Sequence, residues 1–151
     1  MTKPHAEDWP FHEALTPERE AALRRTADAL PLFKLLGLRS EEYATDYAKL
    51  SVDYRDEISR PGGVLHGGIH ATLVDTAVAH AIITTIRREW QAVTVHLDVR
   101  YFKPTTQGRV FAEAKVIRKG KRIVHGDVHL LDDAGDLVGK GSCVYAITRA
   151  K

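Results

Sequence analysis

The chain has 151 residues, of which 44% are hydrophobic and 28% are charged, a composition that predicts one folded domain and excludes a wholly disordered chain. Its formal net charge of +2 is too small to indicate a nucleic-acid partner. The single cysteine, Cys143, excludes an intrachain disulfide and is typical of a reducing compartment, so we expect a cytoplasmic protein.

Residues 1–40 predict a helical N-terminal extension. The first ten residues lack the apolar stretch of a secretory signal. Thr16 is suited to cap a helix and Pro17 to occupy its first position, which predicts a helix over residues 16–30. A short helical piece then leads to the main domain.

Residues 41–151 predict the main domain, because their apolar residues alternate in several segments. Alternation over residues 48–54 predicts a first strand. A loop rich in proline and glycine follows, and then a helix over residues 67–87. Alternation returns four times, in strands joined by short turns, which indicates antiparallel pairing. These strands are predicted over residues 93–101, 110–116, 123–131 and 137–147.

One sheet that must cover one long helix is most simply curved around it. The order of elements therefore predicts an α+β architecture, the hot-dog fold, in which an antiparallel sheet wraps around a central helix. That helix contains the most apolar stretch of the chain, but His70, Asp75 and His80 interrupt it. We therefore expect a buried helix and no membrane span.

Asp75 is the one ionisable residue on a predicted apolar face of the helix. A carboxylate there is costly to bury without a partner and is a candidate for proton chemistry, while pairing with an arginine or capping a loop is the alternative. His70 and His80 fall on the opposite side, where we expect core or interface histidines bonded to backbone carbonyls. At about 100° per residue, Asp75 shares its face with Gly68, Ala71, Val78, Ala79, Ile82 and Ile86.

The glycine-rich residues 62–68 lead into this helix, where the first turn carries unpaired N–H groups and a partial positive charge. An ester carbonyl that becomes an oxyanion would be stabilised there, whereas a simple turn of the chain is the alternative. Gly67 and Asp75 are about 12 Å apart along the axis. A site that uses both therefore predicts two copies of the chain, each contributing one of them.

Neither a nucleophile nor a metal site is predicted. The sequence has no Gly-x-Ser-x-Gly segment, and Cys143 has no histidine close to it in sequence. Two pairs of histidines four residues apart begin at His66 and His125, but neither has a further ligand at a recognisable spacing. Attack by water with Asp75 as general base is the economical mechanism, and an anhydride on Asp75 stays open.

The segment from Gly63 to Asp75 resembles the PaaI-like acyl-CoA thioesterases of the hot-dog superfamily, through His66-Gly67-Gly68 at the helix start and Asp75 further along the helix. The similarity extends over about residues 43–147. It implies an acyl-CoA substrate, with coenzyme A arriving as part of it and no separate cofactor. It also implies a homodimer or a dimer of dimers.

The same resemblance implies a role for each matching residue. In the family, the aspartate activates or orients water, and the middle glycine N–H polarises the thioester carbonyl from the partner subunit, which assigns these roles to Asp75 and Gly67. Thr94 takes the place of a Ser or Thr that helps to hold the water. His66 would orient the loop, and Gly68 would lie against the substrate.

Arg60 departs from the family pattern, which often has an asparagine at this position, six residues before the motif histidine. An arginine there would donate to the carbonyl, to an acid group of the substrate or to Asp75. Arg60 also leaves open the alternative that the protein binds acyl-CoA without hydrolysing it. A hydroxyacyl dehydratase is disfavoured, because such enzymes usually have a histidine in the loop before the helical acid and residues 56–65 contain none.

Four cations near a predicted hairpin turn would suit the phosphates of coenzyme A, although a turn exposed to solvent is often basic without a ligand. They are Arg118, Lys119, Lys121 and Arg122.

Overall fold

The computed structural model describes residues 9–12 and 14–151 of the chain. Residues 1–8, which carry most of the segment examined for a secretory signal, and residue 13 lie outside the described part. The rest folds as one long helix against a six-stranded antiparallel sheet, which confirms the predicted hot-dog fold. None of the helices in the described part is long and apolar enough to cross a membrane.

Two short helices precede the sheet, α1 (Pro17–Ala29) and α2 (Pro31–Leu36). The Thr16 side chain accepts a hydrogen bond from the Arg19 N–H and so caps α1, as its position predicts. Gly37 ends α2 with a positive φ of 67°, a conformation that glycine adopts without steric cost.

The main sheet has six strands, and a separate ribbon has two. The six are β1 (Arg39–Ala44), β2 (Tyr47–Asp53), β5 (Trp90–Tyr101), β6 (Arg109–Lys119), β7 (Ile123–Leu131) and β8 (Leu137–Arg149), and the ribbon consists of β3 (Ser59–Arg60) and β4 (Val64–Leu65). The main sheet has the order β1-β2-β6-β7-β8-β5, and each strand is antiparallel to its neighbours. β5 follows the long helix in the chain and lies at the sheet edge opposite β1.

The long helix α3 (Gly67–Ile83) packs on the inner face of the sheet. Two glycines allow the close approach. A Cβ on Gly126 would lie 2.6 Å from the Val78 side chain, and one on Gly141 would lie 2.5 Å from that of Val74. Any side chain at these positions of β7 and β8 would therefore push the helix away from the sheet.

The structure corrects the predicted bounds in two places. β1 and the β3–β4 ribbon were not predicted. β1 is mostly polar and has one buried residue, Tyr43, so its sequence shows no apolar alternation. The helix ends at Ile83 instead of residue 87. The chain after it pairs with the N-terminal segment through a bridge between Phe11 and Ile86.

The predicted apolar face of α3 is corrected in part. Val78 and Ile82 of that face are fully buried, but the buried face is centred on Leu73, Ala77 and Ala81, on the side where the histidines were expected. Asp75 and Ala79 are only half-buried, and Asp75 contacts Thr94 of β5. His80 is buried, but its partner is the Tyr43 hydroxyl, 2.6 Å from Nδ1, and not a backbone carbonyl.

Candidate active site

Asp75 lies where α3 faces strands β5 and β8, and its carboxylate is held through one oxygen. Oδ1 accepts hydrogen bonds from the Thr94 hydroxyl at 2.9 Å and the Tyr145 hydroxyl at 2.6 Å. Thr94 and Tyr145 are opposite each other in the β5–β8 pairing, which brings both hydroxyls to one side of the sheet. No described residue donates a hydrogen bond to Oδ2.

Tyr145 is the site residue that sequence reasoning missed. Its side chain is 2% exposed, and burial together with the hydrogen bond to Asp75 raises the pKa of the phenol well above its usual range. The hydroxyl therefore keeps its proton and donates. A signal was present, because the alternation of β8 points Tyr145 inward and a buried tyrosine hydroxyl normally has a partner.

Cys143 lies on the same face of β8 and is 1% exposed. Burial, with a further contribution from the charge of Asp75, raises the pKa of this thiol to about 12. A thiol that remains protonated is a weak nucleophile. The chemistry next to Asp75 therefore has no thiolate available.

His66 caps the N-terminal end of α3. Its Nδ1 accepts the Gly68 N–H at 2.9 Å, and its carbonyl accepts the Ile69 N–H at 2.9 Å. Among the described residues, none accepts a hydrogen bond from the N–H of Gly67, the first residue of the helix. The N–H of Gly68 is therefore engaged by His66, and the N–H of Gly67, the predicted donor, is left to meet a ligand.

A cleft of about 330 Å³ opens beside this helix end. The Gly67 carbonyl accepts a hydrogen bond from the Tyr101 hydroxyl at 2.8 Å, so the strand end of β5 forms one wall. Arg60 lines the cleft, and its Nη1 donates a hydrogen bond to the Pro61 carbonyl at 3.0 Å. The Arg60 side chain forms no ion pair with any described residue. The structure thus brings Arg60 and Gly67 together and leaves Asp75 of the same chain outside the cleft.

His70 forms part of the cleft wall and is 4% exposed. Its Nε2 lies 3.4 Å from the Thr105 hydroxyl, and burial lowers the pKa of the ring. Its ring also packs edge-on against Tyr101, with centroids 5.7 Å apart. His70 is therefore a neutral wall residue that supports Tyr101.

The four predicted phosphate-binding cations do not line one pocket. Successive residues of a strand point to opposite faces. Lys119 accordingly turns toward Asp46, which it contacts at 2.8 Å, while Arg118 lines a separate pocket. Lys121 and Arg122 line a cleft of about 450 Å³. The rest of its lining comes from β5, β7 and β8: Trp90, Ile123, Ala146, Ile147, Thr148 and Arg149.

Strand β5 is an edge strand that exposes apolar side chains. It pairs with β8 on one side and with no described strand on the other. Val95 is 56% exposed and Leu97 is 37% exposed, on the strand whose Thr94 contacts Asp75 of α3. A long, uncovered, apolar edge is a template for pairing with another chain.

Within the described residues, no group of three or more His, Cys, Asp or Glu side chains lies together in a way that could hold a metal ion.

The sequence model of the thioesterase superfamily matches residues 62–138, a stretch that includes the His66-Gly67-Gly68 motif and Asp75. The chain belongs to this superfamily. The predicted resemblance to its PaaI-like members is thereby confirmed.

Individual relatives agree with this membership. A protein of Saccharolobus solfataricus named "Putative esterase SSO1253" is 30% identical over 118 residues, which cover 78% of each chain. AziG of S. sahachiroi is 28% identical, with a TM-score of 0.75 over 80% of this chain and 98% of its own. A mutant of thioesterase PA1618 from Pseudomonas aeruginosa shares the fold at 23% identity, with a TM-score of 0.80 over 89% of this chain and 96% of its own.

Proposed function

We propose that the protein hydrolyses acyl-CoA thioesters to the free acid and coenzyme A. The observation that carries the proposal is the Asp75 carboxylate, which is fixed through Oδ1 and open at Oδ2. Membership of the thioesterase superfamily supports hydrolysis of a thioester. Coenzyme A enters as part of the substrate, and no separate cofactor is proposed.

Asp75 acts as the general base. Oδ2 accepts a proton from a water molecule whose oxygen attacks the thioester carbon, with Thr94 helping to hold that water. The carbon–sulfur bond then breaks, and the thiolate of coenzyme A leaves and takes up a proton. The absence of a thiolate at Cys143 supports direct attack by water over a cysteine nucleophile.

Gly67 supplies the donor for the oxyanion. Its N–H is the first of α3 and lacks an acceptor in the described part of the chain, and the helix dipole adds partial positive charge there. Arg60 lies in the same cleft and is positioned to donate a charged hydrogen bond to the same carbonyl. Of the three partners expected for Arg60, Asp75 of its own chain is not in contact with it.

The site is shared between two copies, in a homodimer or a dimer of dimers. Gly67 and Asp75 lie eight residues apart on one helix, about 12 Å along its axis. Pairing of two β5 edges would extend the sheet across both copies and cover the exposed apolar residues of each. The open face of one α3 would then meet that of the other.

The phosphates of coenzyme A are proposed to contact Lys121 and Arg122, which lie in one cleft with Trp90 and Arg149. Arg118 is separate from this cleft, and Lys119 is paired with Asp46, so neither is retained in the phosphate site.

Release of free thiol from a panel of aryl- and fatty-acyl-CoAs tests the proposal, with Asp75→Asn as the variant. We expect hydrolysis that falls by about 10² to 10⁴ in the variant, as for loss of a general base. Tight binding of acyl-CoA without thiol release would point instead to a binding module, for which Arg60 is the motivating residue. Hydration of an enoyl-CoA would point to a dehydratase.

A further inference from the structure

We infer that Tyr145 is a positioning residue that, with Thr94, holds Oδ1 of Asp75 and leaves Oδ2 as the only oxygen that meets the attacking water. The inference rests on the proposed function. It adds a residue from β8, 70 positions away from Asp75 in the chain, to a site otherwise composed of the helix and β5.

The contacts define which carboxylate oxygen is free. The two donors, at 2.9 Å from Thr94 and 2.6 Å from Tyr145, both reach Oδ1. The Tyr145 hydroxyl also lies 2.7 Å from the backbone carbonyl of Asp75. The single hydroxyl proton of Tyr145 is shared between that carbonyl and Oδ1, and rotation of the carboxylate would break the contacts of Oδ1 with both hydroxyls.

The neighbours of the carboxylate keep their charge state. Tyr145 and Cys143, both on β8, are the titratable groups that interact with Asp75, and burial raises the pKa of each. Strand β5 contributes Thr94, which does not titrate. The donors to Oδ1 are thus neutral hydroxyls, and no cation of the described part pairs with Asp75.

Tyr145→Phe removes the donor and keeps the buried ring. We expect kcat for thioester hydrolysis to fall by about 10- to 100-fold, because the base is no longer held in one orientation, while KM changes by less than about threefold. The loss in kcat without a matching change in KM separates a role in orienting the base from a role in substrate binding.

Tyr43→Phe is the matched control. The Tyr43 hydroxyl is also buried and makes hydrogen bonds of 2.6 Å with His80 and 2.8 Å with Ser40, but it does not contact Asp75. The two substitutions should cost similar stability, about 1 to 2 kcal/mol for the loss of one buried hydroxyl. Only Tyr145→Phe should change kcat.

Thr94 provides a second, independent comparison. Thr94→Ser keeps a hydroxyl and Thr94→Val removes it, so the difference in kcat between these variants measures the effect of the hydroxyl donor. Each single variant keeps one of the two contacts to Oδ1 and the double variant keeps neither, so Thr94→Val with Tyr145→Phe should lose more activity than the product of the two single losses.

Three results would overturn the inference: an unchanged kcat in Tyr145→Phe, an equal loss of kcat in Tyr43→Phe, or purely multiplicative losses in the double variant. A failure of the proposed function is distinguishable, because Asp75→Asn would then retain full activity or no thioester would be hydrolysed by the unaltered protein.

Discussion

Gly67 is a position where one backbone atom can be tested by itself. Its N–H is the first of α3 and has no acceptor in the described chain. Proline lacks this N–H but suits the first position of a helix. His66 before it has φ −62° and ψ 132°, an extended conformation that the residue preceding a proline readily adopts. The substitution should therefore remove the donor and retain the helix.

We predict that Gly67→Pro lowers kcat by about 10² to 10³, the usual cost of one oxyanion donor, as measured by steady-state thiol release. Gly67→Ala is the control, since it keeps the N–H and adds only a Cβ, about 3.3 Å from the Tyr101 ring. Equal activity of the proline and alanine variants would show that this N–H does not bind the oxyanion.

The contact between α3, α2 and β1 is built around His80. Its ring lies 5.1 Å from that of Phe33 and is hydrogen-bonded to Tyr43. Burial lowers the pKa of His80 from 6.5 to about 4. A proton on this ring would place a charge between three packed elements, so their contact depends on a neutral histidine.

We predict that the free energy of unfolding falls as the pH drops from 6.5 toward 4, because the unfolded chain binds the proton more readily over that range. Above pH 6.5, His80 does not make the free energy of unfolding depend on pH. The full effect is about 3 kcal/mol at most. Urea unfolding at several pH values measures it.

His80→Gln should flatten this pH dependence. Burial also lowers the pKa of His70, so His70 should make the free energy of unfolding fall with pH in the same direction. The decisive measurement is therefore the difference in pH dependence between the unaltered protein and the His80→Gln variant. The same slope in both would assign the pH dependence to other groups.

In the complete molecule, the proposed site requires two copies, and this can be tested without a structure of the complex. Asp75→Asn lacks the base but has an intact helix start. Gly67→Pro lacks the donor but has an intact base. If each site takes Asp75 from one copy and Gly67 from the other, a mixed dimer contains one complete site and one site with both defects.

We therefore predict that mixing these two inactive variants, after subunit exchange, restores activity to about one quarter of the unaltered protein, because half of the dimers are mixed and half of their sites are complete. Exchange is measured by mass spectrometry and activity by thiol release. No recovery in fully exchanged samples would place both residues of a working site in one chain.

Local patterns in the sequence were enough to predict the order of the main elements, the central helix and the pairing of His66-Gly67-Gly68 with Asp75. These features depend on periodicity and on spacing along one helix, which sequence neighbours determine. The strand β1 was missed for the same reason, since an edge strand with one buried residue has no apolar alternation.

The hydrogen-bond partners of Asp75 and the residues around Gly67 were decided by the tertiary structure. Tyr145 reaches Asp75 only because β8 lies next to β5 in the register that sets Thr94 opposite Tyr145. The four cations of residues 118–122 lie in different places, because strand alternation directs Lys119 toward Asp46, whereas Lys121 and Arg122 lie beside Trp90. Contacts between residues far apart in the chain follow from sheet order and register, and the sequence patterns carry no direct record of either.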